Sequence, residues 1–193
     1  LMQRELIQEQ DGKLGMKWVP ELIPEKLGEN IFDESGMLPS SHDYILEMTV
    51  KNEKSGKFGL VFSNSEAAYV FQLDFEKGRA QFSDTHPGRF AEEIPAAYEQ
   101  MKCAGNPEKL VDIPKNSKNY SIPDVDVKNE EFSLRVISRY SNRLKATVID
   151  VEIAEKRTMI SVRDNFIPDK VSVISDGKIL LNNKKLHIIG GIK

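Results

Sequence analysis

The sequence predicts an all-β protein built as an antiparallel sandwich, and three observations carry that prediction. Turn pairs of the Xaa-Gly kind, Asp11-Gly12, Ser55-Gly56, Lys77-Gly78 and Asp176-Gly177, stand between runs rich in Val, Ile, Phe and Leu, as hairpin turns do. Between them the apolar residues alternate with a period near two: Tyr44, Leu46, Met48, Val50, then Phe132, Leu134, Val136, and again Val171, Val173. Only one segment reads as a helix. It runs from Pro95 to Cys103, with Ala96, Ala97, Tyr98 and Met101 at helical spacing and Gly105 as its stop. Many short strands with tight turns and almost no crossover helices favour a sandwich over a parallel α/β sheet.

In chain order the pattern places strands near residues 2 to 8, 13 to 19, 43 to 51, 57 to 63, 67 to 75 and 79 to 82. After a long interruption it resumes with strands near 131 to 138, 143 to 153, 158 to 163, 170 to 175, 178 to 181 and 185 to 189. Two irregular stretches punctuate this series. From about Pro20 to Ser41, Pro20, Pro24, Pro39, Gly28 and Gly36 read as a linker behind the first hairpin. From about Ser83 to Glu130, Pro87, Pro95, Pro107, Pro114 and Pro123 make a loop far longer than a hairpin needs, and loops of that size are functional or form an ordered cap.

Composition narrows the function. The chain has 193 residues and 21.9 kDa, enough for one domain plus extras but not two full domains. A chain of this size buries roughly 70% of its unfolded surface and folds without staples. Its 27 basic and 30 acidic residues leave a net charge of −3, which offers no cationic field for nucleic acid or acidic lipid. No run approaches the ~20 apolar residues that span a bilayer. The lone cysteine, Cys103, excludes an intrachain disulfide and a thiolate zinc cage. The opening Leu1-Met2-Gln3-Arg4 carries no charged-then-apolar leader, and the chain reads as an excised piece of something larger.

The opening segment Arg4-Glu5-Leu6-Ile7-Gln8-Glu9-Gln10-Asp11-Gly12-Lys13-Leu14, followed by Val19-Pro20-Glu21-Leu22, resembles the closing strands of the catalytic propeller in glycoside hydrolase family 32, the levanases, inulinases and invertases. In that family a linker and a C-terminal concanavalin A-like (jelly-roll) sandwich follow. Phe58-Gly59-Leu60-Val61-Phe62 with Tyr69-Val70-Phe71-Gln72-Leu73-Asp74, and later Phe132 to Val136 and Val171 to Gly177, resemble strands of such lectin-like sandwiches. The resemblance implies residues 1–24 as the closing strands of a five-bladed propeller, 25–40 as linker, and 41–193 as the sandwich with its long loop at 83–130. The family's catalytic strings, Trp-Xaa-Asn-Asp-Pro-Asn, Arg-Asp-Pro and Glu-Cys, do not occur in the chain. What is implied is therefore a non-catalytic module that stabilises the propeller of a fructan- or sucrose-cleaving enzyme, extracellular or periplasmic, with no cofactor. Its partners would be the propeller of the same polypeptide and an oligosaccharide. Family-43-like propellers share these closing strands, so that parentage stays open.

Two other functions compete. As a carbohydrate-binding module, the chain would stack an aromatic face on a sugar ring, and Trp18, Tyr98 and Tyr120 are the candidates, the two tyrosines because they lie in the long loop. Trp18 also suits packing at an interdomain contact. As an enzyme, Asp150-Val151-Glu152-Ile153-Ala154-Glu155 resembles the carboxylate triad of concanavalin-fold β-glucanases, since residues two apart share a strand face and a bulge would bring Glu155 alongside. The order of Asp and Glu is inverted, and an exposed acidic strand face is the competing reading. Asp124 and Asp126 are too few for calcium, and Cys103 with His86 shares only a loop. No metal site is expected.

Overall fold

A computed structural model describes residues 3–39, 42–53, 56–94, 119–127 and 131–189. The expected helix from Pro95 to Cys103, together with Tyr98, lies outside those residues. The described residues form twelve strands: β1 (Arg4–Gln8), β2 (Leu14–Trp18), β3 (Tyr44–Asn52), β4 (Lys57–Ser63), β5 (Ala68–Asp74), β6 (Arg79–Thr85), β7 (Tyr120–Ile122), β8 (Glu131–Ser141), β9 (Ala146–Ile153), β10 (Arg157–Asp164), β11 (Lys170–Ser175) and β12 (Ile179–Ile188). They form two five-stranded sheets, β10-β9-β8-β3-β12 (sheet I) and β11-β4-β5-β6-β7 (sheet II), plus the two-stranded hairpin β1-β2. Every pairing is antiparallel.

The predicted alternation builds the core. Tyr44, Leu46, Met48 and Val50 of β3 and Phe132, Leu134 and Val136 of β8 face Phe58, Leu60 and Phe62 of β4 and Phe71 and Leu73 of β5 in one apolar cluster. Side chains alternate across a strand, so the residues between them point to the outer faces of the sheets. The structure departs from the strand pattern in two places. The strands expected at 178 to 181 and 185 to 189 are one strand, β12, interrupted by a bulge between Asn182 and Lys185. Tyr120–Ile122, expected as loop, pairs with β6 as the edge strand β7.

Both outer faces are partly covered by the chain itself. On sheet II, residues 91–94 cross the face as a strap: Gln72 donates from its side-chain amide to the Ala91 carbonyl (3.4 Å) and accepts from the Ala91 N–H (2.9 Å). Gln81 does the same one strand over, donating to the Glu92 carbonyl (2.6 Å) and accepting from Ile94 N–H (2.9 Å), while Ser121 donates to the Ile94 carbonyl (2.7 Å). A planar side-chain amide imitates a backbone peptide group, so this face binds extended chain without a ladder. On sheet I, Trp18 and the linker residues Leu22, Ile23 and Leu27 pack over Ile45, Ile137 and Ile189. His187 donates from Nδ1 to the Gly28 carbonyl (2.8 Å). The linker continues along the edge of β12, where Ile31 N–H reaches Leu186 O (2.8 Å), and crosses to β11, where Val171 N–H donates to Gly36 O (2.8 Å). Residues 20–39 are thus bound along their length to the sandwich.

Candidate functional site

Asp150 and Glu152 project from the outer face of β9 because Ile149, Val151 and Ile153 between and beside them fill the core. The sequence leaves an acidic strand face open to water as one reading; the structure buries both carboxylates, at 0% and 1% exposure. The cover is the β1-β2 hairpin. Trp18, at the end of β2, donates its backbone N–H to Glu152 Oε1 (2.6 Å) and its indole Nε1–H to Asp150 Oδ1 (3.2 Å). Arg4, its cross-strand partner on β1, ion-pairs with Asp150 and donates from Nε to Thr158 Oγ1 (3.1 Å). Arg135 of β8 lies opposite Glu152 in the register, donates to it from Nε (2.7 Å) and again from Nη2, and stands 5.5 Å from the centre of the Trp18 ring.

Each carboxylate therefore accepts from one arginine and from Trp18, which is what a buried charge requires. Burial pushes the Asp150 carboxyl up to about 6, against the pull of Arg4 and the Trp18 indole, with Glu152 adding to the rise. A retaining hydrolase needs one carboxylate free to attack and another free to donate a proton beside bound sugar. Here the donors that would have to leave are the ones docking the hairpin, so the pair acts as a clamp between the first strands of the chain and β9. Glu155 does not join them. It sits in the β9–β10 turn, 60% exposed, with only a 3.7 Å contact to Arg135, and its left-handed φ of 55° belongs to that turn.

The aromatic candidates are placed as follows. Trp18 is 3% exposed and has no free face for a sugar ring; its packing role at a contact between segments is the one the structure shows. Tyr120 is an edge residue: its hydroxyl donates to the Ile160 carbonyl (2.7 Å) and accepts from the Ile160 N–H (2.8 Å), stitching β7 of sheet II to β10 of sheet I. Burial pushes that phenol up to about 12. Asp124 and Asp126 flank Val125, whose buried side chain and N–H to Gly78 O (2.9 Å) pin the loop. Among the described residues no group of His, Cys, Asp and Glu could hold a metal ion, and no helix is long and apolar enough to cross a membrane.

The sequence does not single out these arginines, because nothing in one strand announces its neighbour. Arg4 and Arg135 acquire roles only once register sets them beside Asp150 and Glu152. Arg163 is a third case: 1% exposed, it lies between the sheets with its guanidinium 4.1 Å from the Tyr69 ring centre, bonded to Ser161 Oγ (2.8 Å), Asp84 Oδ1 (3.1 Å) and Asn119 Oδ1 (3.1 Å). A buried cation on β10 had no signal in an alternating Met-Ile-Ser-Val-Arg run.

The architecture has a relative among solved structures. Caenorhabditis elegans galectin LEC-6 superposes with a TM-score of 0.50 and 10% identity, over 84% of this chain and 91% of that one. The sandwich is a galectin-like jelly roll. No family model matches the sequence, and no curated protein is significantly similar to it. The likeness concerns the fold, and it agrees with the concanavalin-like sandwich that the strand pattern and the propeller resemblance imply.

Proposed function

We propose that the chain is a non-catalytic carbohydrate-binding module. One observation carries the reading: the sandwich has the fold of a galectin, a carbohydrate-binding fold, while the acidic pair that would make it a glucanase is buried and fully partnered beneath the hairpin. The test is calorimetric titration of the chain with levan and inulin oligosaccharides and with lactose, alongside a reducing-sugar assay on levan, inulin, sucrose, xylan and mixed-linkage β-glucan. Saturable binding without sugar release is the expected outcome. Release of sugar from β-glucan that Glu152→Gln abolishes would replace this reading with an endo-glucanase using Asp150, Glu152 and Glu155.

A second reading has its own observation. Leu6 and Leu14 are each 71% exposed and Met16 is 42% exposed, and the cross-strand register puts all three on one face of the β1-β2 hairpin. That face is docked on β9 only at its Arg4–Trp18 end, and a two-stranded hairpin whose remaining apolar face is open suits the end of a larger sheet. This supports the module as the stabilising C-terminal sandwich of a family-32-like fructan or sucrose hydrolase, its hairpin completing a propeller blade. A melting temperature that rises when the sandwich is joined to that propeller, and that Leu6→Glu abolishes, would carry it.

A further inference from the structure

The two lateral sides of the sandwich are closed by different means, and the side between β11 and β12 keeps a cavity of about 350 Å³. Leu46, Met48 and Leu60, which are 1%, 4% and 0% exposed and belong to the main core, form its packed floor, and the apolar surface open to it belongs to Phe32, Val173 and Leu181. Phe32 and Gly36 of the linker cover part of it. The volume falls at the lower end of the range of small-molecule sites. The lining is amphipathic, with Phe32, Val173 and Leu181 on its apolar part and Glu34, Ser35, Lys170, Ser172 and Lys184 on its polar part, as a ligand with an alkyl chain and a charged head requires.

The mouth is cationic by construction. In β12 the register jumps from Asn182↔Thr49 to Lys185↔Glu47, leaving Asn183 and Lys184 opposite the single residue Met48, with Asn183 in the left-handed region at φ 52°. A bulge re-aims side chains, and this one brings Lys184 to the cavity instead of leaving it on the outer face. The Lys184 side chain is only 24% exposed, and its Nζ stands 5.1 Å from the centre of the Phe32 ring. Its ion partner, Glu34, is a 77% exposed linker side chain. Lys170, on the facing edge of β11, also lines the cavity and makes no ion pair among the described residues. Two ammonium groups against one solvated carboxylate leave an unmatched positive charge beside an apolar slot.

We propose that this cavity binds a free medium-chain aliphatic carboxylate, with the alkyl chain along the cleft between β11 and β12 against Phe32, Val173 and Leu181 and the carboxylate at the mouth on Lys184 and Lys170. The headgroup displaces Glu34 from Lys184. No covalent step is involved.

Calorimetric titration of the whole chain with hexanoate, octanoate and decanoate below their micellar concentrations tests this directly. The expected result is one site per chain, with affinity rising roughly fourfold for each methylene added until the cavity is full. Decan-1-ol binds more weakly than decanoate, and Lys184→Met narrows that difference while leaving the alcohol's affinity in place. Leu181→Trp, which fills the cavity from β12, lowers decanoate affinity at least tenfold; Val173→Phe, from the β11 side, is the second variant should the first not fold, as judged by circular dichroism. Absence of binding, an affinity indifferent to chain length, or unchanged binding by the folded filled variant overturns the proposal. Binding to anionic phospholipid vesicles without binding of free decanoate also overturns it, in favour of a membrane surface.

Discussion

The sandwich has two lateral sides, and they are finished differently. Between β7 and β10 the gap is bridged by side chains: the Tyr120 phenol makes two bonds to the backbone of Ile160, and the Arg163 guanidinium reaches from sheet I to Asp84 and Asn119 of the sheet II side. Between β11 and β12 the gap is bridged by backbone, the linker that bonds Leu186 on one edge and Val171 on the other, and a cavity remains beneath it. Long polar side chains can fill the space they span, with their stems packed and their tips bonded. A strap of backbone lies over the space instead, and Val173 and Leu181 of the two edge strands are left partly open beneath it.

Breaking the filled side carries the largest effect. Arg163→Ala removes the packed stem and the bridge together and is expected to cost about 3 to 4 kcal/mol in denaturant unfolding. Because the Asp84 side chain is 66% exposed, no buried charge is orphaned, and Arg163→Met, which keeps the stem, costs less than half as much. Equal losses for the two variants would mean that the charge and not the packing closes that side.

A pH scan separates the hairpin clamp from both sides. The Asp150 carboxyl titrates at about 6 in the folded chain against an ordinary value of 3.8, so the folded state holds its proton more tightly between those values. Lowering the pH from about 6 to about 4 therefore adds stability, at most roughly 3 kcal/mol, and raising it back removes that contribution. Asp150→Asn should remove that contribution, leaving the opposite slope of carboxylates such as Glu53 and Glu93, which their lysine partners hold below the ordinary value; an unchanged slope would assign the effect to another group.

The strapped side breaks at one residue. Gly36 has a φ of 73°, in the left-handed region, and the space a Cβ would need is occupied by the Val171 carbonyl that follows the bond to Gly36 O. Gly36→Ala is expected to cost about 2 kcal/mol and to raise amide exchange at Val171 while leaving Ile160 protected. Tyr120→Phe is the smallest change, about 1 kcal/mol, with the opposite exchange pattern. If both variants exposed both sides alike, the two closures would be one cooperative unit.

Much of this architecture is legible in the sequence. The alternation from Tyr44 to Val50 and from Phe132 to Val136 becomes the two central strands of sheet I, because a residue's face follows from parity alone once one side is apolar. β7 is less legible. Three residues, Tyr120–Ile122, are too few for a period, and they become a strand only through pairing with β6. The gap between the strands expected near 178 to 181 and 185 to 189 turns out to be a bulge within one strand, with Asn183 in the left-handed region. At the clamp, the carboxylates were visible as Asp150 and Glu152, whereas their partners lie 146 residues away at Arg4 and 17 away at Arg135, separations that local pattern does not encode.

The two sheets also differ in when they can exist. In sheet II, β4, β5 and β6 pair in chain order through tight turns, so most of that sheet is available as soon as residue 85 has left the ribosome. In sheet I, β3 waits for β8 on one flank and β12 on the other, and the hairpin at the start of the chain waits for β9. Non-local pairing of this kind is slow and leaves edges bare in the meantime. During synthesis, then, the apolar inner face of the β4-β5-β6 meander must stay uncovered while the rest of the chain emerges, which marks it as the surface on which a chaperone would act.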